Sequence, residues 1–333
     1  YFLDNPHYAF IILEPSYTLE GEEEERLTKQ LEAYRETLSE EDLEALIEMN
    51  AKLDAEQDEP NTKEALALLP HLSARDLKRE VSQVVIKEVQ LEDAILYFNP
   101  EYTGPISYLH FLFDTSHVKQ EQLPYLGLLA NLLTYVSTKR YTYNALENEI
   151  NKQTGGLNCS VNAYAHYEDT CSYKPYFKIS CKVLNEKLPV LPDLLKEITL
   201  NSIFSEKDKI KEIIGMMKYE IERSFTSSPE YRATRRLYTY FSDAALYEDH
   251  VSGMVYYVFL KEQYENFDSC CEKLMDTLTQ LYHSIMQRKA LKISVTAEEH
   301  EYEMLKGKLE DFVKALPSIE SKKATYTFER TIR

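Results

Sequence analysis

Residues 122–169 read QLPYLGLLANLLTYVSTKRYTYNALENEINKQTGGLNCSVNAYAHYED. An apolar helix comes first, then a polar amphipathic helix over Tyr143–Lys152, a Gly155-Gly156 turn, and a strand, Leu157–Ala165, that alternates in character. The glycine pair suits a turn that needs positive φ. Helix, helix, turn and strand in this order give an α+β unit.

The elements on either side agree. Val84–Ile86, Ala94–Phe98 and Ile106–Phe113 read as strands upstream, and Tyr173–Val183 as one downstream. Helices follow at Asp193–Leu200 and Ser205–Phe225, the latter with Ser205 and Asp208 at its start. Another begins at Ser228-Pro229, with Pro at the first helical position, and two more run to Gln287. Strand Leu291–Val295, helix Glu299–Leu316 and strand Thr325–Phe328 complete the order. Strands in adjacent pairs, with helices collected in blocks, predict an antiparallel sheet with helices packed on one face.

The first 80 residues have a different texture. A short apolar strand is expected at Tyr8–Leu13, in an opening stretch without an initiator Met or a targeting signal; the stretch is expected to continue from a longer chain. Residues 18–80 read as an acidic helical hairpin. Leu27, Leu31, Tyr34 and Leu38 form one stripe; Leu43, Leu46, Ile47 and Leu53 form the other. Ser39 and Asp42 make a capping box between them. The expected division is therefore 1–17 as the end of a preceding domain, 18–80 as a connector whose helices pack on each other, and 81–333 as the α+β domain.

The net charge is −18, and residues 1–80 hold 21 acids against 8 bases, a net of −13. Such a surface repels phosphate backbones and anionic lipid, so neither nucleic acid nor membrane is an expected partner. Cys159, Cys171, Cys181, Cys270 and Cys271 form no C-x-x-C pair. They read as reduced thiols in a cytoplasmic setting, with an organelle as the other possibility.

The order of elements resembles one half of the pitrilysin/insulinase-type zinc peptidases, in the presequence-protease branch. Three stretches carry the resemblance: Leu68-Leu-Pro-His-Leu-Ser-Ala-Arg-Asp76 after the acidic hairpin; the 106–165 block with Thr154-Gly155-Gly156-Leu157; and Leu316-Pro-Ser-Ile-Glu-Ser-Lys-Lys-Ala-Thr-Tyr326. The resemblance implies four homologous α+β domains in two bowl-like halves, joined by the hairpin and closing around an unfolded peptide. It implies zinc held by a His-x-x-Glu-His helix in the first domain. Two imidazoles one helical turn apart share a face and grip one ion, and the intervening carboxylate serves as general base.

The equivalent helix here, Tyr125-Leu-Gly-Leu-Leu-Ala-Asn-Leu-Leu-Thr-Tyr135, offers no His or Glu in any register, and the chain contains no His-x-x-Glu-His. An Arg-x-x-Gly-Gly-Ala-Tyr-Gly-like motif, which assists catalysis from the family's fourth domain, is also missing. The resemblance is thus to the hairpin plus the third, degenerate domain. It implies a non-catalytic segment with no catalytic residue, no metal ligand and no cofactor of its own. Zinc would lie in an N-terminal half of the parent chain. Partners would be that half, a following fourth domain and unstructured peptides. A self-contained, inactive scaffold or peptide-binding homologue is the alternative.

Three constellations remain. His166-Tyr167-Glu168-Asp169 reads as an exposed turn; a metal site or a hydrolase using His166 and Glu168 would need further ligands. His110, inside an apolar strand, reads as a core histidine bonded to backbone, and His117 as a loop residue. Ser160, Asn162, Tyr164 and His166 share one face of their strand, so Asn162, Tyr164 and His166 either line a peptide chamber or simply face solvent.

Overall fold

The computed structural model describes residues 5–7, 9–14, 16–77, 79–80 and 83–330. The chain divides into two units, Tyr1–Val81 and Ser82–Arg333.

In the first unit, α1 (Leu19–Thr37) and α2 (Glu40–Asp58) meet at the expected capping box, and a short α3 (Lys63–Ala67) follows. The Asp42 amide donates to Ser39 Oγ (3.1 Å), and Asp42 Oδ2 accepts the Ser39 N–H (3.0 Å). The Ser39 hydroxyl also donates to Asp42 Oδ2 (2.6 Å), and this bond, followed by that from the Ser39 N–H, holds the Asp42 carboxyl below its usual range. The apolar stripes do not seal a seam. Every described side chain of α1 is exposed and α2 buries none; only Leu38, Leu43 and Leu46, near the elbow, are half-buried. Two helices with one apolar residue per turn have too little apolar area to close on each other. Of the expected strand Tyr8–Leu13, Tyr8 lies outside the described residues; 9–13 are exposed and unpaired.

The second unit holds a six-stranded sheet made of β1 (Lys87–Leu91), β2 (Ala94–Pro100), β3 (Ile106–Asp114), β4 (Leu157–His166), β5 (Asp169–Leu184) and β6 (Leu291–Ala297), ordered β1-β2-β6-β3-β5-β4. The expected antiparallel sheet is in fact mixed. β6 inserts between β2 and β3, antiparallel to β3 but parallel to β2. Consecutive β2 and β3 therefore flank a strand that arrives almost two hundred residues later. No local pattern in 94–114 announces that gap.

Two strand expectations are corrected. Val84–Ile86 is exposed coil and pairing starts at Lys87, opposite Phe98. Thr325–Phe328 is an extended strap, not a strand. Its Tyr326 hydroxyl donates to Val118 O (2.9 Å), and its Thr327 amide to Gln120 Oε1 (2.8 Å), so it is tied to a loop and not to a sheet edge.

Helices α4 (Leu123–Leu132), α5 (Tyr143–Gln153), α6 (Leu191–Asn201), α7 (Lys207–Ser227), α8 (Pro229–Tyr238), α9 (Asp243–Ser252), α10 (Met254–Glu265), α11 (Phe267–Ile285) and α12 (Glu299–Ala315) complete the unit. Pro229 sits in the first turn of α8 as expected. The start of α7 is not capped by Ser205; Glu206 holds that position without a side-chain bond. The helices cover one sheet face. Leu96 and Phe98, Leu109, Phe111 and Phe113, Phe177 and Ile179, Ile293 and Val295 are buried in alternation along their strands. On α12, Tyr302 stacks on Phe98 (4.1 Å between centroids), and Phe312 meets Phe111 edge-on (5.5 Å).

One buried hydroxyl joins α11 to the end of α6. Tyr282 donates to Ile198 O (3.0 Å) and accepts the Ser202 N–H (3.1 Å). Tyr282→Phe keeps the volume but orphans the Ser202 N–H, while Ile198 O keeps the Ser202 hydroxyl (2.7 Å), so it is expected to cost about 1–3 kcal/mol in urea unfolding. An unchanged midpoint would show that water replaces the hydroxyl.

Candidate functional site

α4 is where the resemblance would place zinc ligands. In this chain the helix is enclosed by α7, α9, α10, α11 and β4. Leu123, Leu126, Gly127, Leu128, Leu129, Ala130 and Leu132 are all buried. Its closest neighbour is α9, where a Cβ added to Gly127 would fall 2.1 Å from Val251 O. A helix surrounded this way presents neither donors nor an open coordination position, so its residues do not fit a zinc ion. Among the described residues, no three His, Cys, Asp or Glu side chains are placed to hold a metal.

The sheet's other face is the candidate surface, because no helix layer among the described residues of the second unit covers it. Register sets side chains from several strands next to one another there. Asn162 lies opposite Tyr176, and Tyr164 opposite Lys174. His110 lies between Ser180 on β5 and Ser294 on β6, and Leu112 between Lys178 and Lys292. Lys174, Lys178, Lys182 and Lys292 outnumber Glu88 and Asp114 on this face, so it is cationic within an acidic chain.

The details are polar and aromatic. Ser160 Oγ donates to Asn162 Oδ1 (2.9 Å), and the Tyr164 and Tyr176 rings lie 6.0 Å apart. The Lys292 ammonium sits 5.7 Å over the Tyr176 ring. Burial pulls the Lys292 pKa down, but the Tyr176 hydroxyl and nearby acidic groups outweigh it and hold the amine charged. His110 bonds Ser180 Oγ through Nδ1 (3.0 Å), not backbone as expected. It points to the open face, and burial followed by the Lys178 charge lowers its pKa, favouring neutral imidazole.

Asn162 is half-buried; Tyr164 and His166 are exposed at the β4 end. His166 stacks on Tyr167 (5.2 Å), and its Nδ1 accepts the Glu168 N–H (3.3 Å), so the cluster is an exposed turn. His117, for which the sequence offers no partner, meets Ser284 Oγ at 3.4 Å. On the helix side of β4, Glu248 accepts the Ala163 N–H (3.3 Å), a contact 85 residues distant that no pattern predicts. Burial pushes the Cys159 and Cys181 thiols up to about 12, which leaves them unreactive at neutral pH. Cys159, Cys181, Cys270 and Cys271 are free thiols.

No helix among the described residues is long and apolar enough to cross a membrane. A family described as associated with peptidases of family M16, subfamily C, matches residues 13–262. Protein HypA of Clostridium perfringens is 28% identical over 331 residues, covering 99% of this chain and 34% of its own length. Presequence protease 1 of Arabidopsis thaliana, chloroplastic/mitochondrial, is 22% identical over 317 residues, covering 95% of this chain and 29% of its own. The mitochondrial presequence protease of Yarrowia lipolytica is 27% identical over 265 residues, covering 79% and 26%. The chain thus spans between about a quarter and a third of the length of these relatives. In fold it matches a conserved protein from Enterococcus faecalis, with a TM-score of 0.52 at 17% identity, over 74% of this chain and 56% of that one. The family match covers three quarters of the residues, including the hairpin and the enclosed α4, and the chain belongs to this peptidase-associated family.

Proposed function

We propose that this chain is the non-catalytic segment of a zinc metallopeptidase that degrades unstructured peptides in an enclosed chamber. Residues 1–17 would end a preceding domain, 18–80 would form the connector, and 81–333 would supply one chamber wall. Asn162, Tyr164 and His166 would line the wall with the rest of the open sheet face. The observation that carries this reading is that face: half-buried, polar, aromatic and cationic, on a domain whose helices lie behind it. Tyrosine gives a passing peptide apolar area plus a hydroxyl without requiring one sequence.

The exposed connector stripes support the same reading. Leu27, Leu31 and Ile47 are each more than half exposed, the state of residues that meet another domain. The partners would be a catalytic half and a fourth domain of the same parent chain. Zinc and the attacking water would be held by that catalytic half; nothing on α4 fits them. Free cysteines accord with a reducing, cytoplasmic compartment.

Purified alone, the chain is expected to retain no stoichiometric zinc after dialysis and to leave unstructured peptides uncut. In a full-length parent, Tyr164→Ala is expected to raise KM about fivefold with little change in kcat, the loss of roughly 1 kcal/mol of uniform binding. Peptide cleavage by the isolated chain, or an unchanged KM, would overturn the reading.

A further inference from the structure

A cleft of about 670 Å³ opens where β3 ends, between the Ser116-His117 loop, the C-terminal end of α11 and the chain after α12. The last wall is fixed at both ends. Arg288 N–H donates to Pro317 O (2.9 Å), Ser318 Oγ to Asp93 Oδ2 (2.9 Å), and Ala324 N–H to Ser116 O (2.8 Å). Residues 319–323 arch between these ties, and Lys289 pairs with Glu320 of the arch. The cleft therefore belongs to the fold of this unit.

Its chemistry is graded from rim to floor. At the rim, Lys322 and Lys323 pair with no acid among the described residues, although the chain has 56 acids for 38 Lys and Arg. At the floor, Gln287 is only 2% exposed. Its Nε2 donates to His283 O (2.6 Å), but its Oε1 has no partner among the described residues. The Ser284 hydroxyl, which donates to Leu281 O, is left to accept from His117 Nε2–H; burial lowers the His117 pKa, which favours the neutral ring. A buried amide oxygen without a hydrogen bond is costly and calls for a donor. Two unpaired ammonium groups lining the same cleft call for an anion.

One ligand group offers both: the last residue of a peptide, whose backbone N–H lies two bonds from its carboxylate carbon. We propose that the cleft captures the C-terminal residue of an unstructured peptide, with the carboxylate on Lys322 and Lys323 and the amide N–H toward Gln287 Oε1. The choice of a peptide as carrier rests on the proposed function; the donor-and-anion requirement does not. Asp114 at the mouth belongs also to the open face of β3, so a chain lying on the sheet would reach the cleft by its end.

The test is binding of an N-terminally labelled, unstructured peptide to the full 333-residue chain, followed by fluorescence anisotropy. The free acid is expected to bind about tenfold more tightly than the C-terminal amide. Lys322→Gln/Lys323→Gln, on exposed positions that leave the fold intact, is expected to erase that difference. Gln287→Met is expected to weaken the acid about threefold or more while thermal unfolding stays cooperative. Equal binding of acid and amide overturns the inference, as does a preference that survives the double lysine variant, or inorganic phosphate binding the cleft more tightly than the peptide acid. Peptide binding without acid preference would leave the wall reading standing while the cleft inference fails. Acid preference in a chain whose full-length parent cuts no peptide would do the reverse.

Discussion

Gly127→Ala is expected to destabilise the second unit by about 3 kcal/mol or more, although alanine is the better helix former by about 1 kcal/mol. The sign is decided by α9. The new methyl would lie 2.1 Å from Val251 O, 2.9 Å from Val251 C and 3.2 Å from Tyr256 Cε2. The first two atoms are backbone in the middle of the unit, so no rotamer change relieves the overlap, and α4 and α9 must move apart. Separating them unpacks Val251, Tyr256 and the buried leucines of α4 together. Gly307→Ala on α12 is the control: nothing lies within 4 Å of its Cβ position, and a gain of up to about 1 kcal/mol is expected. Urea unfolding of the two variants beside the parent separates propensity from packing. A Gly127→Ala chain as stable as its parent would mean that the α4–α9 contact is looser than the structure shows.

The all-round apolar character of 123–133 signalled α4's burial, and the alternation in 157–166 signalled β4. Both are local patterns, and both appear in the structure. The Ser39–Asp42 box was legible for the same reason, since it is closed within four residues. What stayed hidden was set by distant partners. Nothing in 291–297 says that it will separate β2 from β3 and run parallel to one of them. The strap at 325–328 has strand-like composition, but its polar groups go to Val118 and Gln120. Periodicity placed Asn162, Tyr164 and His166 on one face. The lysines, His110 and Tyr176 joined them only through the pairing of β3, β5 and β6. Gln287 gave no signal at all, because its role depends on burial against a loop more than thirty residues away.

Restoring His-x-x-Glu-His to α4 is expected to unfold the second unit and to bind no zinc. The variant is Leu128→His/Asn131→Glu/Leu132→His. Leu128 and Leu132 are fully buried, and each replacement removes about 2–3 kcal/mol of apolar burial. Each also puts a polar imidazole into the hydrophobic core, a further cost of about 1–3 kcal/mol. The two sites together cost more than about 6 kcal/mol, comparable with the whole stability of an ordinary domain. Zinc does not repay this, because a third protein ligand and a water-accessible fourth position are both required, and α4 is closed in by neighbouring helices and β4. Asn131→Glu alone loses the Nδ2 bond to Gly127 O (2.9 Å) and the side-chain bond to the Tyr256 hydroxyl at an exposed position, and is expected to stay folded. Circular dichroism and elemental analysis of the triple and single variants check this, and a folded triple variant carrying one zinc per chain would refute it. The leucines at these positions do more than fill a space where ligands are missing: they are the core of the unit, and the helix cannot hold both a core and a metal.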